Sequence, residues 1–198
     1  MNLKAWSYDL FIDPLLAGLK RSVANKVPAG TSVIDVACGH GSLAMTLAAR
    51  AGNVTGIDLD SDLIRYATEQ AAKLKTDNIN FIVHDAASLS EFADRQFDIA
   101  VTSMAIHQFD GNTAVAVLRE MKRIAVKVII ADYSCPMPAG FPRAVAYSIE
   151  RMARGNHWRN FRKYMATGGL EFFTKSADLA VLNKTVRGNK VFVIVECQ

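Results

Sequence analysis

With 198 residues and 51% hydrophobic content, the chain can remove roughly 70% of its unfolded surface from water and is expected to form one compact domain. Cys38, Cys135 and Cys197 are odd in number and far apart, with no CxxC or Cys/His cluster. A disulfide framework and a metal site are therefore not expected, and a reduced, cytoplasmic setting is. The net charge of +4 is modest. Asp9 and Asp13 interrupt the stretch where a signal peptide would carry its apolar core, and no apolar run approaches the roughly 18 residues of a membrane span.

A helix over about Asp9 to Lys26, with Pro14 near its start, opens the chain. From residue 31 to 132, short β-branched runs alternate with longer amphipathic stretches, the pattern of a parallel sheet covered by helices on both faces. Strands are predicted at Ser32 to Ala37, Asn53 to Asp58, Ile79 to Val83, Phe97 to Ser103 and Val126 to Asp132. The helices between them are predicted at Gly41 to Ala51, Ser61 to Lys75 and Asn112 to Ile124, with Ser61 as an N-cap and Asp62 in the first turn. Asp98, at the start of its strand, reads as a capping or turn residue.

The stretch from about Ser134 to Gly169 leaves the alternation and reads as a helical insert, a small lid broken at Gly155-Asn156. Between Ala139 and Met165 it carries Arg143, Arg151, Arg154, Arg159, Arg162 and Lys163 against Glu150 alone, a balance of +5 that leaves the rest of the chain near −1. Trp158, Phe161 and Met165 recur at i, i+3 and i+7, the spacing of a buried helix face, which makes the basic residues a solvated face by default. Ala180 to Val186 and Val191 to Cys197 form two apolar strands joined through Arg187-Gly188-Asn189-Lys190 as a hairpin. No internal repeat or low-complexity linker is present.

The chemistry concentrates where the first strand ends, in Val33-Ile34-Asp35-Val36-Ala37-Cys38-Gly39-His40-Gly41. Small residues let a tight turn bring backbone N–H groups close to a ligand, and the helix N-terminus that follows favours a carboxylate or phosphate. Gly39-x-Gly41-x-x-Ala44, with Asp58 nineteen residues after Gly39, also satisfies a dinucleotide fingerprint, so an NAD-linked oxidoreductase is an alternative. Asp35 argues against it, because a carboxylate before the turn opposes a pyrophosphate and suits an ammonium and a sulfonium. Asp35, Asp58, Asp85 and Ser103 to His107 each follow a successive strand, which gathers them on the ligand-binding edge of a parallel sheet.

These residues resemble the motifs of the class I S-adenosylmethionine-dependent methyltransferases, and within that class the ubiquinone/menaquinone-biosynthesis group. Val33 to Gly41 resembles the first motif with Ala37 in place of a glycine, Val54-Thr-Gly-Ile-Asp58 the second, His84-Asp85-Ala86 the third, and Phe97-Asp98 with Ser103 to His107 the fourth. The resemblance implies a Rossmann-like α/β fold, a seven-stranded, mostly parallel sheet closed by an antiparallel hairpin. Its parts would be an N-terminal helix (1–28), a cofactor core (29–133), the lid (134–170) and the hairpin (171–198). It implies S-adenosylmethionine as cofactor, held by Asp35, Ala37, Cys38, Gly39, Gly41, Asp58, Leu59, Asp85, Ala86, Ser103 and Met104. Asp58 would take the ribose hydroxyls and Asp85-Ala86 the adenine, while Ala37 would need a backbone conformation open to a residue with a Cβ.

The acceptor is argued from position and from absence. His107, just past the fourth strand, is the candidate to take a proton from the acceptor's nucleophile. Tyr8 and Trp6, Trp158 and Arg159 are candidates to contact the ligands, with an aromatic or anionic acceptor suiting the last two. Cys38 reads as a small loop residue. Thr102-Ser-Met-Ala-Ile106 replaces the Asn/Asp-Pro-Pro-aromatic sequence that presents a base amine, and paired glutamates are absent, so a small molecule is expected rather than nucleic acid or protein arginine. A third reading is a cofactor-binding sensor or partner subunit without catalysis.

Overall fold

The structure, a computed structural model, describes residues 13–198. Seven strands form one sheet: β1 (Ser32–Val36), β2 (Asn53–Asp58), β3 (Ile79–Val83), β4 (Phe97–Ser103), β5 (Ala125–Tyr133), β6 (Val181–Arg187) and β7 (Phe192–Cys197). Their spatial order is β3-β2-β1-β4-β5-β7-β6. The first five run parallel, with Val33 opposite Val54 on one side and Ile99 on the other, and β7 runs antiparallel to β5 and β6. The chain steps outward from β1 to β3, then returns to place β4 on the other side of β1. Right-handed crossovers in the two directions put their helices on opposite faces. The reversal opens a crevice between the carboxyl ends of β1 and β4.

The strands are fully apolar where both faces are covered: Val33, Ile34 and Val36 of β1, Ala100 and Val101 of β4, and Ile129, Ile130 and Ala131 of β5 are all sealed from water. Far from the crevice, Asp98 Oδ2 accepts from the backbone N–H and the hydroxyl of Ser32, each at 2.8 Å. Those bonds hold its carboxyl below the usual range and pin the starts of β1 and β4 in register. Asp98 is thus the capping residue that its position suggests.

The helices are α1 (Asp13–Ala24), α2 (Ser42–Ala48), α3 (Ser61–Lys73), α4 (Gly111–Ile124), α5 (Phe141–Ala153), α6 (Gly155–Thr167) and α7 (Leu170–Ser176). The N-cap of α3 is Asp60, not Ser61: its carboxylate accepts from the N–H groups of Asp62 and Leu63, and Ser61 is already helical. The second helix stops at Ala48 rather than Ala51, because Arg50 O and Gly52 N are used to bond Gly30 and Thr31 and turn the chain into β2. α7 was not predicted; it packs on α4 and buries Leu170, Phe173 and Thr174. The start of the predicted first helix and the candidates Trp6 and Tyr8 lie outside the described residues.

The insert is a helical pair. α5 ends and α6 begins at Arg154 and Gly155, both with φ near +60° (60° and 54°), and α6 packs on the single 3₁₀ turn Ile106–Gln108 after β4. Phe161 and Tyr164 are buried there. All six basic residues of the insert face solvent, the default of an amphipathic helix.

Candidate active site

The crevice is a cavity of about 600 Å³ walled by the loops after β1, β2, β3 and β4, within the size range of ligand pockets. Of the residues expected to hold a cofactor, Ala37, Cys38, Gly39, Asp58, Leu59, Asp85, Ala86, Ser103 and Met104 line it. Asp35 and Gly41 do not. Gly41 is the N-cap of α2 at φ 82°; a Cβ there would fall 2.6 Å from the Phe81 ring and 2.8 Å from Ala67, so the position is closed to any other residue. Its part is to let the helix start close to the sheet.

Asp35 is also set apart from the cavity. It is 1% exposed and is not part of the cavity lining, with Oδ2 unpartnered. Burial, and then the nearby Asp58 charge, push its pKa up to about 8. In the ligand-free protein, burial therefore favours the neutral form. Ala37 also departs from expectation: it sits at φ 58°, in the left-handed region, which costs a Cβ-bearing residue about 1 kcal/mol.

The remaining acids are held by the backbone. Asp58 Oδ2 accepts from Gly39 N–H at 2.8 Å and its Oδ1 from Asp60 N–H at 3.0 Å, and Asp85 Oδ1 accepts from Ala87 N–H at 2.9 Å. Each carboxylate keeps lone pairs for a ligand. A cation joins them: Lys20, 7% exposed, reaches from α1 to the cavity wall and donates to Ser42 Oγ at 2.5 Å. No motif marks Lys20 in the sequence, and only the docking of α1 on α2 reveals it.

A second cavity of about 580 Å³ lies under the lid and shares Leu16, Met104 and Gln108 with the first. Its wall is mostly apolar, from Val145, Ala146 and Ile149 of α5 and Phe192 of β7, with Phe141 and Met152 at the mouth, 81% and 79% exposed. His107 lines this cavity and not the first. Trp158 and Arg159 line neither: Trp158 stacks on Phe161 at 5.7 Å and meets Tyr147 edge-on, and Arg159 faces solvent. No arginine or lysine lines the second cavity among the described residues, so the anionic acceptor suggested by the basic insert loses its support.

His107 sits at the centre of a buried polar cluster. Asp132, at the end of β5, faces its Nδ1 at 2.6 Å and accepts from its backbone N–H at 3.1 Å. Nε2 stands 3.4 Å from Glu150 Oε2 but is not aligned for a hydrogen bond, and it is left without one. Glu150 meets His157 Nε2 at 2.5 Å and accepts from the Tyr133 hydroxyl at 2.7 Å. Burial works against charge on His107, but Asp132 and Glu150 outweigh it and raise its pKa to about 9. Burial also opposes charge on Glu150, yet the two imidazoles beside it and the Tyr133 hydroxyl hold its carboxyl below the usual range. Sequence reasoning found His107 and missed Asp132, Glu150 and His157. The one signal was Glu150 itself, the lone acid in a basic insert.

Comparison with known proteins accords with this geometry. Residues 33–128 match the methyltransferase domain family. The chain is 28% identical over 132 residues to a demethylmenaquinone methyltransferase of Shouchella clausii, covering 64% of this chain and 55% of that protein. It is also 28% identical over 158 residues to a ubiquinone biosynthesis O-methyltransferase of Pseudomonas fluorescens, covering 77% of this chain and 66% of that protein. The chain thus spans between half and two thirds of the length of these relatives. Its fold matches the crystal structure of a SAM-dependent methyltransferase from Aquifex aeolicus with a TM-score of 0.66 at 18% identity, over 90% of this chain and 88% of that one. The match over residues 33–128, the strand order and the strand-end acids agree with the class I S-adenosylmethionine-dependent methyltransferases.

The cofactor of that class fits the residues present. Two backbone-held carboxylates and one buried cation face a common cavity, which matches a ligand with ribose hydroxyls, an amine and a carboxylate. Among the described residues, no helix is long and apolar enough to cross a membrane.

Proposed function

We propose that this chain transfers the methyl group of S-adenosylmethionine to a small, largely apolar acceptor seated under the lid. The observation that carries the reading is the common wall of the two cavities, Leu16, Met104 and Gln108: one side has the charges for the cofactor and the other has the apolar volume for an acceptor. The bound cofactor supplies a methyl carbon on a sulfonium, open to in-line displacement. The names of the two curated relatives, both from quinone biosynthesis, agree with an acceptor of apolar body.

The protein's own part is to place and to exclude water, since such a displacement gains chiefly from proximity and desolvation. In this reading Asp58 accepts from the ribose hydroxyls, Asp85 with Ala86 reads the adenine, and Leu59, 72% exposed, covers the ring face. Lys20 and the start of α2 receive the carboxylate. Met104, at φ 58° and 7% exposed, sits where the two ligands meet. His107 is the group that faces the acceptor's nucleophilic atom from the second cavity.

The test is calorimetric binding of S-adenosylhomocysteine, followed by a methyl-transfer screen over quinols, phenols, amines and carboxylates. Binding with turnover of an apolar hydroxyl compound is expected. NADH binding without S-adenosylhomocysteine binding would establish the oxidoreductase alternative, and cofactor binding with no acceptor methylated across the four classes would favour a sensor.

A further inference from the structure

We propose that His107, Glu150 and His157 form a binding site for one divalent transition-metal ion of the zinc type, open towards the acceptor cavity. Three donor atoms, two imidazole nitrogens and a carboxylate oxygen, lie within 4.8 Å of one another. A metal held about 2.0–2.2 Å from nitrogen and oxygen ligands places those ligands about 3.4 Å apart in tetrahedral geometry. His107 Nε2 and Glu150 Oε2 already stand at 3.4 Å. His157 Nε2, at 2.5 Å from the same oxygen, has to swing out by about 1 Å to match that spacing. Its side chain is 29% exposed and borders the cavity, so it has room to do so.

The surroundings suit a ligand set. A metal-bound histidine usually gives its other ring nitrogen to a carboxylate, which fixes the ring and raises its basicity. Asp132 does this for His107 through Nδ1 and is itself fixed by the N–H groups of His107 and Tyr133. Nε2 is then directed at the site, 1% exposed and without a hydrogen bond. The Tyr133 hydroxyl occupies Glu150 Oε1 and leaves Oε2 for the ion.

The charges are compatible with an ion. Asp132 and Glu150 are 0% and 4% exposed, and no lysine or arginine of the described residues pairs with either. The two buried carboxylates are paired only with imidazoles, and a divalent ion bound by neutral imidazoles would offset both negative charges in one place. The three ligands come from the turn after β4, from α5 and from α6, and the sharp joint at Arg154 and Gly155 brings Glu150 and His157 side by side. Three protein ligands leave a position free, as catalytic rather than structural sites do, and here it opens on an apolar cavity.

The inference rests on the reading of that cavity as the acceptor's, and it narrows the acceptor to an apolar molecule bearing a hydroxyl. A hydroxyl coordinated there would have a lowered pKa; its O–H bond would break with the proton released to bulk solvent at the cavity mouth and the oxygen keeping the electron pair as the nucleophile.

The full chain, stripped with a chelator, is titrated with Zn²⁺ in the presence of a competing chelator, and Co²⁺ is added separately for its visible spectrum. S-adenosylhomocysteine binding is measured on each sample as a check of fold. One Zn²⁺ per chain is expected, with affinity reduced at least tenfold in both His157→Ala and Glu150→Gln and unchanged in the exposed-surface control Arg151→Ala. The Co²⁺ spectrum should lack a thiolate charge-transfer band. If His157→Ala fails to fold, Glu150→Gln and the wild-type Co²⁺ spectrum still decide. No stoichiometric metal on a chain that binds S-adenosylhomocysteine would overturn the site. Zn²⁺ affinity unchanged in both variants, or a thiolate band, would also overturn it. Metal binding retained on a chain that binds no S-adenosylhomocysteine would uphold the site and count against the proposed methyl transfer.

Discussion

The N–H of Gly39 donates to Asp58 Oδ2 at 2.8 Å, joining the glycine loop after β1 to the end of β2. One carboxylate therefore shapes the loop and stays positioned on the cavity wall. Asp58→Ala removes the ligand contact and also frees the loop, so S-adenosylhomocysteine affinity is expected to fall at least about tenfold, the loss of one charge-assisted hydrogen bond. Titration calorimetry measures it, and an unchanged affinity would count against Asp58 as a cofactor ligand.

Asp35 is expected to make ligand-free stability depend on pH in an unusual direction. Its folded pKa of about 8 lies above its ordinary value of 3.8, so the folded state binds a proton that the unfolded state releases. Its stabilising share is complete below pH 4 and is lost as pH rises through 8. Asp35→Asn keeps the shape without the ionisation. The difference in Tm between variant and wild type should move in favour of the variant from pH 4 to pH 8 and level off above, as read by thermal melts across that range. A constant difference would show that Asp35 ionises normally.

Glu196 acts in the opposite sense. Lys26 at 2.5 Å and Lys127 both pair with it, and Asn183 donates to it at 2.9 Å, which ties α1's trailing residues, β5 and the hairpin together. Burial pushes its pKa up, but the two lysines pull it down to about 2, against 4.5 ordinarily. Its contribution is present above pH 4.5 and fades as pH falls through 2. Glu196→Gln is expected to lower Tm by about 5 °C at pH 7 and by progressively less below pH 4.

The parts of this protein legible in the sequence are those whose placement follows from local pattern. β-branched runs at regular spacing set the strands, and an acid just past a strand must lie at one edge of a parallel sheet; that is why Asp58 and Asp85 fall on the cavity. Asp35 is different, because strand alternation alone does not tell whether a side chain reaches the cavity or is sealed away from it. Glu150 and His157 were out of reach for a different reason. They sit on helices whose docking is decided by Phe161 and Tyr164 burying against the 3₁₀ turn, a long-range packing event. Trp158 and Arg159 drew attention by residue type, yet the same packing turned Trp158 onto Phe161 and left Arg159 outside.

The division into two cavities gives a variant that separates binding from transfer. Val145, on the first turns of α5, is half-buried and lines only the acceptor side. Val145→Trp adds a large ring to a cavity of about 580 Å³ without touching the loop, Asp58 or Asp85. S-adenosylhomocysteine affinity should stay within about twofold, while kcat/KM for any acceptor found in the screen should drop by at least about tenfold, since even a displacement of 1 Å at the reacting atoms costs about 10²-fold. The ring sits at a partly exposed helical position, so stability should change little. If both affinity and transfer survive, the acceptor does not bind under the lid; if both are lost, the two cavities are one site rather than two that meet at Met104.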